Sequence, residues 1–284
     1  MIREGGLRCR AVVKKSGPDK PLVSIVTVVL NGARHIESTI KSVLSQSYQN
    51  IEYLIIDGGS TDDTLDIIRK YEGAIDYWRS GPDQGLYDAM NKGISLANGD
   101  LIGILNADDV LYADSAERIV SEMGEHVDKN YTCGAVDLID NTGKIYGRVV
   151  PFCKELKEAR KYKEMPCPHL SIFVGRKVYE RVGLFDTAFK LRADYDLLLR
   201  FMHQGVECVE LAFAVGAFRC GGRSGGLQTW LETRHVLKKN GAGAVATEYA
   251  FARSVFRSYA ARLLPRWILP KIKRFMVSKN EYFS

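Results

Sequence analysis

Residues 81–109 read GPDQGLYDAMNKGISLANGDLIGILNADD. Gly81, Pro82 and Gly85 mark a loop, and residues 86–97 carry Met90, Ile94 and Ala97 at helical spacing. Asp88, Asn91 and Lys92 fall elsewhere on that helix, Asp88 and Asn91 one turn apart. Gly99 closes it. Residues 101–105 are then almost wholly apolar, the pattern of a strand buried on both faces. Asn106, Ala107, Asp108 and Asp109 follow at the carboxyl end of that strand, where open α/β sheets bind ligands. Adjacent carboxylates repel each other unless a cation, a proton or hydrogen bonds compensate them. A divalent ion holding a substrate phosphate meets that need.

Upstream, residues 22–29 (LVSIVTVV) are rich in β-branched side chains and predict the first, central strand. Asn31 and Gly32 turn the chain, and Ile36, Ile40, Val43 and Leu44 recur at helical spacing. Residues 51–56 predict a second buried strand, ending in DGGSTDD. Ser60 and Asp63 have the spacing of a capping box that opens a helix through Leu65, Ile67, Ile68 and Tyr71. Residues 75–79 predict a third strand. This alternation is the pattern of a doubly wound, mostly parallel sheet, a nucleotide-binding type of fold. Downstream the chain is less regular. It predicts a helix over 116–123 and a hairpin of 131–139 with 144–150 across Asp140-Asn141-Thr142-Gly143. A stiff Pro166-Cys167-Pro168-His169 loop leads into 170–174, and a short helix over 176–182 closes at Gly183. A further helix opens at Ala193-Asp194-Tyr195-Asp196 and stops near Gly205, a strand follows over 207–213, and a glycine-rich loop spans 221–226.

At 284 residues, 46% of them apolar, the chain suits one large α/β domain with a smaller lobe. No apolar run is long enough to cross a bilayer. The basic N-terminus (Arg3, Arg8, Arg10, Lys14, Lys15, Lys20) lacks the apolar core of a signal peptide and reads as a solvated tail. Six scattered cysteines without a CxxC pair favour free thiols in a reducing cytoplasm. Cys167 and His169 have no second ligand pair, which argues against zinc. The net charge of +6 is concentrated late: residues 253–274 hold seven cations and no acid, interleaved with Trp267 and several aliphatics. Such a stretch suits an anionic bilayer surface at the inner face of the plasma membrane, or a terminal helix packed on the domain with a solvated basic face. No nucleic-acid reader module accompanies the charge.

Asp57, at the end of the second strand, is placed to accept hydrogen bonds from a ribose or base edge, with Thr27 and Asn31 adding polar contacts from the first. Each has a plain structural alternative, Asp57 shaping a turn and Asn31-Gly32 forming one. Asp194 and Asp196 suit a helix N-terminus through the helix dipole, and either suits a general base. His169 is a candidate for phosphate or acceptor contact, or for packing.

Taken together, SIVTVVLNGARHIESTIKSVLSQSYQNIEYLIIDGGSTDDT, GPDQGLYDAMNKGI, NGDLIGILNADD and GLFDTAFKLRADYDLLLR resemble family 2 glycosyltransferases, inverting enzymes of the GT-A fold. The likeness is greatest to bacterial members that build capsules, exopolysaccharides and lipid-linked saccharides, and it covers residues 20–225. It implies a GT-A domain over 21–225, which leaves the basic tail over 1–20 and a helical basic extension over 226–284 to be read from composition alone. It further implies that Thr27, Asn31, Asp57 and Asp88 hold the nucleotide of a sugar-nucleotide donor, UDP by family frequency, with Asn91 and Lys92 beside them. Asn106-Ala107-Asp108 stands at the DxD position, whose last acid binds Mg²⁺ or Mn²⁺ against the diphosphate. Asn106 replaces the first Asp, which makes Asp109 a second candidate metal ligand. Asp194 stands at the acid-base position, with Ala193 in place of the usual Glu. His169, Asp196 and Arg223 are candidates for diphosphate or acceptor contact, and the loop around Arg223 for closing over the donor. No QxxRW motif follows, so transfer of a single sugar to a saccharide or lipid-linked acceptor is expected. Two rivals are weighed: a sugar nucleotidyltransferase, which needs a glycine-rich basic loop after the first strand, and a silent nucleotide-binding homologue or scaffold.

Overall fold

A computed structural model of the chain describes residues 2–17, 20–151, 165–219, 226–245, 247–249 and 251–252. The expected strand–helix alternation is present: β1 (Arg3–Gly5), β2 (Val23–Val29), α1 (Ile36–Leu44), β3 (Ile51–Asp57), α2 (Thr64–Lys70), β4 (Tyr77–Ser80), α3 (Leu86–Leu96) and β5 (Leu101–Asn106). There follow β6 (Val110–Leu111), α4 (Ser115–Met123), β7 (Tyr131–Ile139), β8 (Ile145–Val149), β9 (Phe173–Gly175), α5 (Arg176–Val182), α6 (Ala193–His203), β10 (Cys208–Arg219) and α7 (Leu227–Lys239). The sheet runs β1-β4-β3-β2-β5-β9-β7-β10-β6, and β8 pairs with β7 as the antiparallel hairpin expected there. β4, β3, β2 and β5 are mutually parallel, so their carboxyl ends share one edge. The sheet then turns mixed, with β9 antiparallel to β5, and β10 parallel to β7.

β2 is buried along its whole length because each face is covered. Val23, Ile25 and Val29 pack with Ile36, Ile40, Leu65 and Ile68 of α1 and α2. Val26 and Val28 pack on the other side with Tyr87, Met90 and Ile94 of α3, and the same core continues to Leu198 and Phe201 of α6. An uninterrupted apolar run is what a strand buried on both faces requires. At Gly93, a Cβ would stand 2.2 Å from Val26 Cγ1, so glycine lets α3 lie close on the sheet.

The N-terminal segment is not a solvated tail. β1 adds an antiparallel edge strand to β4, Lys14 pairs with Asp76 at 2.9 Å, and the Arg8 guanidinium pairs with Glu52. Glu52 is fully buried and also accepts from Ser24 Oγ at 2.6 Å and Asn98 N–H at 2.7 Å. A buried carboxylate is tolerable only when so compensated. The capping box is also replaced. Ser60 turns back to Asp57, and Asp62 Oδ1 accepts the Thr64 N–H at the start of α2. β10 outruns the strand expected over 207–213 because register shifts between Glu210 and Gly216 break its alternation. Among the described cysteines, Cys9 and Cys167 are free thiols, whereas Cys133 is disulfide-bonded, contrary to the free-thiol expectation. No helix among the described residues is long and apolar enough to cross a membrane.

Candidate active site

Four loops meet at the carboxyl ends of β2, β3, β4 and β5. Asn31 takes a left-handed backbone, φ +52°, which asparagine tolerates better than most residues. This lets its N–H reach Ser60 Oγ at 2.7 Å while its Oδ1 accepts the Thr61 N–H at 2.9 Å. Asp57 is buried, and its carboxylate accepts from the Ser60 hydroxyl at 2.5 Å and the Ser80 hydroxyl at 2.6 Å. Asp57 therefore shapes the rim from beneath. Gly58 lies against the loop before α3, where a Cβ would stand 2.4 Å from Asp83 Oδ2. Thr27 is fully buried and its hydroxyl is bonded to Tyr53 at 3.0 Å, so its side chain stays inside the sheet, away from the rim.

The first turns of α3 carry three of the expected residues in different roles. Asp88 accepts the Gln84 N–H at 2.9 Å and pairs with Lys92 at 2.8 Å. Lys92, and next the Gln84 N–H, hold the Asp88 carboxyl below its usual range. Lys92 also reaches the Pro82 carbonyl at 3.3 Å. Asn91 points the other way: its amide donates to the Phe185 carbonyl at 2.9 Å and accepts the Phe185 N–H at 3.0 Å. Both halves of that amide are thus engaged with backbone.

At the end of β5, Thr39 of α1 anchors the acidic corner by donating to the Ala107 and Asp109 carbonyls at 2.9 and 2.8 Å. Asp109 is 1% exposed; its oxygens accept the Arg219 N–H at 3.2 Å and the Asn106 amide at 3.3 Å. Burial, and next the charge of Asp108, push its carboxyl up to about 8. Its oxygens face these two donors inside the fold, so Asp108 is the acid left open to a cation. Asp108 differs: among the described residues nothing donates to its half-buried carboxylate, while its carbonyl accepts from Arg219 Nε at 3.3 Å. His35 feels Asp108 electrostatically, although burial first and then Arg219 and Arg34 lower its pKa.

No group of three or more His, Cys, Asp or Glu side chains among the described residues can hold a metal ion alone. A Mg²⁺ or Mn²⁺ ion bound with a diphosphate needs less, since one or two carboxylates suffice when phosphates and water complete the shell. Asp108 supplies one such carboxylate, and beside it Asn106 Oδ1 is a buried acceptor without a partner. The residues present fit a substrate-bridged ion.

Asp194 lies in the first turn of α6. Its Oδ1 accepts the Tyr87 hydroxyl at 3.1 Å and the Tyr195 N–H at 2.9 Å, leaving Oδ2 without a donor among the described residues. Asp194 and His169 share an apolar pocket with Ile104, Phe185, Leu198 and Phe201. Because Ile104 belongs to β5, this pocket lies two residues below Asn106, on the same strand that delivers Asp108. His169 Nε2 is buried without a partner, and burial lowers its pKa against the raising effect of Asp194. Asp196 is a correction. It is fully buried, accepting from Arg200 Nε, Lys239 Nζ and Asn240 Nδ2, each at 2.9 Å, and so clasps α7 to α6 instead of facing a ligand. Arg223 and the basic stretch 253–284 lie outside the described residues. Sequence reasoning missed Tyr87, His35 and Arg219, and read Ser60 only as half of a capping box. Tyr87 alone carried a signal, as the residue before Asp88 in the quoted stretch.

The sequence profile described as Glycosyl transferase family 2 matches residues 24–183. A PGL/p-HBAD biosynthesis glycosyltransferase of Mycobacterium bovis is 30% identical over 224 residues, which are 77% of this chain and 84% of that one. An uncharacterized glycosyltransferase of Mycobacterium tuberculosis is 32% identical over 183 residues, 63% of this chain and 68% of that one. Among solved structures, S. aureus TarS 1-349 in complex with UDP-GlcNAc aligns with TM-score 0.62 at 15% identity, covering 88% of this chain and 78% of that one. Mannosyltransferase PcManGT from Pyrobaculum calidifontis, in complex with GDP-Man and Mn2+, aligns with TM-score 0.58 at 17% identity, covering 97% and 87%. Against a longer S. aureus TarS structure, the chain spans about half the length, 47%.

Proposed function

The chain belongs to glycosyl transferase family 2 and has the GT-A fold, and from that premise we propose an inverting, metal-assisted transfer of a single sugar. The donor is a nucleoside-diphosphate sugar, with UDP favoured. The acceptor is a saccharide or lipid-linked saccharide of a bacterial surface glycan, a reading supported by the mycobacterial relative's name, a PGL/p-HBAD biosynthesis glycosyltransferase. A site at the inner membrane face, reached through 253–284, belongs to the same proposal.

The carrying observation is a contrast between acids. Asp57, Asp109 and Asp196 are consumed by internal hydrogen bonds. Asp108 and Asp194 each keep an oxygen without a donor among the described residues, and both flank the end of β5. Asp108 would hold the cation, with Asn106 Oδ1 as the nearby unpartnered acceptor. A bound Mg²⁺ or Mn²⁺ supplies charge neutralisation for the departing diphosphate. Asn31 and the Asp57–Ser60 turn shape the nucleoside end, and Asp88 with Lys92 lines its flank. Asp194 Oδ2 takes the proton of the acceptor hydroxyl as that oxygen attacks the anomeric carbon. The bond to the diphosphate oxygen breaks with its electron pair on the leaving group, so one base on the opposite face gives inversion. A thermal-shift panel of nucleotide sugars with and without Mn²⁺ tests this. One donor should raise the melting temperature only with metal, through binding linkage. A panel flat under both conditions would end the donor-site reading.

A further inference from the structure

We propose that Tyr87 is a positioning residue that aims the Asp194 carboxylate, and that the Asn91–Phe185 clasp holds Tyr87 in place to do so. This rests on the reading of Asp194 as the base. The Tyr87 side chain is almost fully buried, and its hydroxyl donates to Asp194 Oδ1 at 3.1 Å. The Tyr195 N–H donates to the same oxygen at 2.9 Å. Two donors on one oxygen fix the plane of the carboxylate and leave the other oxygen to receive a proton. The Tyr87 ring packs on Phe185, centroids 5.3 Å apart and planes tilted by 35°. Phe185 is held in turn: Asn91 binds its N–H and C=O, and Arg200 donates to the Val182 and Leu184 carbonyls at 2.9 and 2.6 Å.

Helix geometry gives the arrangement a purpose. Tyr87 and Asp88 are consecutive in the first turn of α3, so their side chains diverge by roughly 100°. One faces the base and the other the donor-side pair with Lys92. A shift of α3 on donor binding therefore moves the oxygen donor that orients Asp194. Burial, and next the charge of Asp194, raise the Tyr87 hydroxyl far above its usual range, so it stays a donor at any working pH. Among the described residues, His169 and Cys167 from the loop before β9 also feel the Asp194 charge, and Arg192 at the start of α6 acts on Tyr87.

The test uses the full chain with ¹³C-labelled aspartate carboxyls, the Asp194 signal being identified by its loss in Asp194→Asn. In Tyr87→Phe, which keeps the ring and removes the donor, the Asp194 carboxyl signal at neutral pH moves away from its wild-type position. Replacement of tyrosine by 3-fluorotyrosine, a stronger donor of the same shape, moves it the other way and serves if the Phe variant fails to fold. Signals that superimpose on wild type overturn the proposal. In parallel, UDP-GlcNAc breakdown with Mn²⁺ should fall about tenfold in kcat in Tyr87→Phe with KM unchanged. Unchanged kcat in Tyr87→Phe beside a dead Asp194→Asn overturns the positioning role alone; unchanged kcat in Asp194→Asn overturns the base itself.

Discussion

Asn91 and Phe185 hold each other by two hydrogen bonds, the Asn91 amide donating at 2.9 Å and accepting at 3.0 Å, and this exchange ties α3 to the loop between α5 and α6. The donor-side helix and the helix carrying the proposed base thus move together.

Asn91→Ala leaves the Phe185 N–H and C=O without partners in a largely enclosed setting. Stranding such groups costs about 1–3 kcal/mol each when buried, and partial access to water reduces that. A loss of about 2 kcal/mol in urea unfolding is expected, with a fall in kcat larger than any rise in donor KM. An equal change in both would mean that Asn91 serves the nucleotide pocket directly.

Asp108→Asn and Asp109→Asn separate two neighbouring acids that both stand as candidate metal ligands in the sequence. Asp108 has the open carboxylate, whereas Asp109 is buried and bonded to Arg219 and Asn106. The Asp108 variant should lose the Mn²⁺-dependent thermal shift given by a nucleotide sugar. The Asp109 variant should keep it, since the amide oxygen there still accepts the Arg219 N–H. Loss of the metal response in both variants would return Asp109 to the ligand set.

Much of the donor half was legible because its signals are local. β2 and β5 are buried on both faces and so show as unbroken apolar runs, and the strand ends are punctuated by Asn31-Gly32, Asp57-Gly58-Gly59 and Asn106. What escaped depends on distant partners. β1 is three residues long, and Arg8 finds Glu52 across 44 positions. Asp194 and Asp196 looked equivalent, yet two steps along a helix turn a side chain by roughly 200°. One acid therefore faces the pocket and the other the interior beside α7. Asp57 and Asn91 were expected among the donor-binding residues, and only the fold shows their side chains turned to hydroxyl and backbone partners. Arg219 comes to the acidic corner because β10 pairs with β6, a contact between residues more than 100 positions apart.

Asp196→Ala tests the interior role. It removes the carboxylate shared by Arg200, Lys239 and Asn240, and Lys239 is left with Asp186 alone. Breaking a buried ionic cluster by deleting one partner costs about 3–5 kcal/mol, and partial solvent access at Lys239 puts the expected loss at the lower end. Urea unfolding should show that loss, while the Mn²⁺-dependent donor shift of the folded fraction persists. Loss of donor response at unchanged stability would restore Asp196 to the site.

His169 sets a pH dependence whose sign follows from its surroundings. Its Nε2 is buried without a partner, and burial is the leading cause of a pKa below 6.5 in the folded chain, opposed by Asp194. The unfolded chain, with His169 at its ordinary value, therefore binds the proton more readily than the folded one. Stability from this group is complete above pH 6.5 and is lost as pH falls toward the folded pKa. A single proton taken up on unfolding gives a slope of up to about 1.4 kcal/mol per pH unit in that window. His169→Gln keeps a polar group of similar reach without the titration. Urea unfolding at pH 7.5 and 5.5 should show a larger acid loss in wild type than in this variant. If both lose the same amount, the ring is solvated or paired at low pH, and its place in the pocket beside Asp194 must be redrawn.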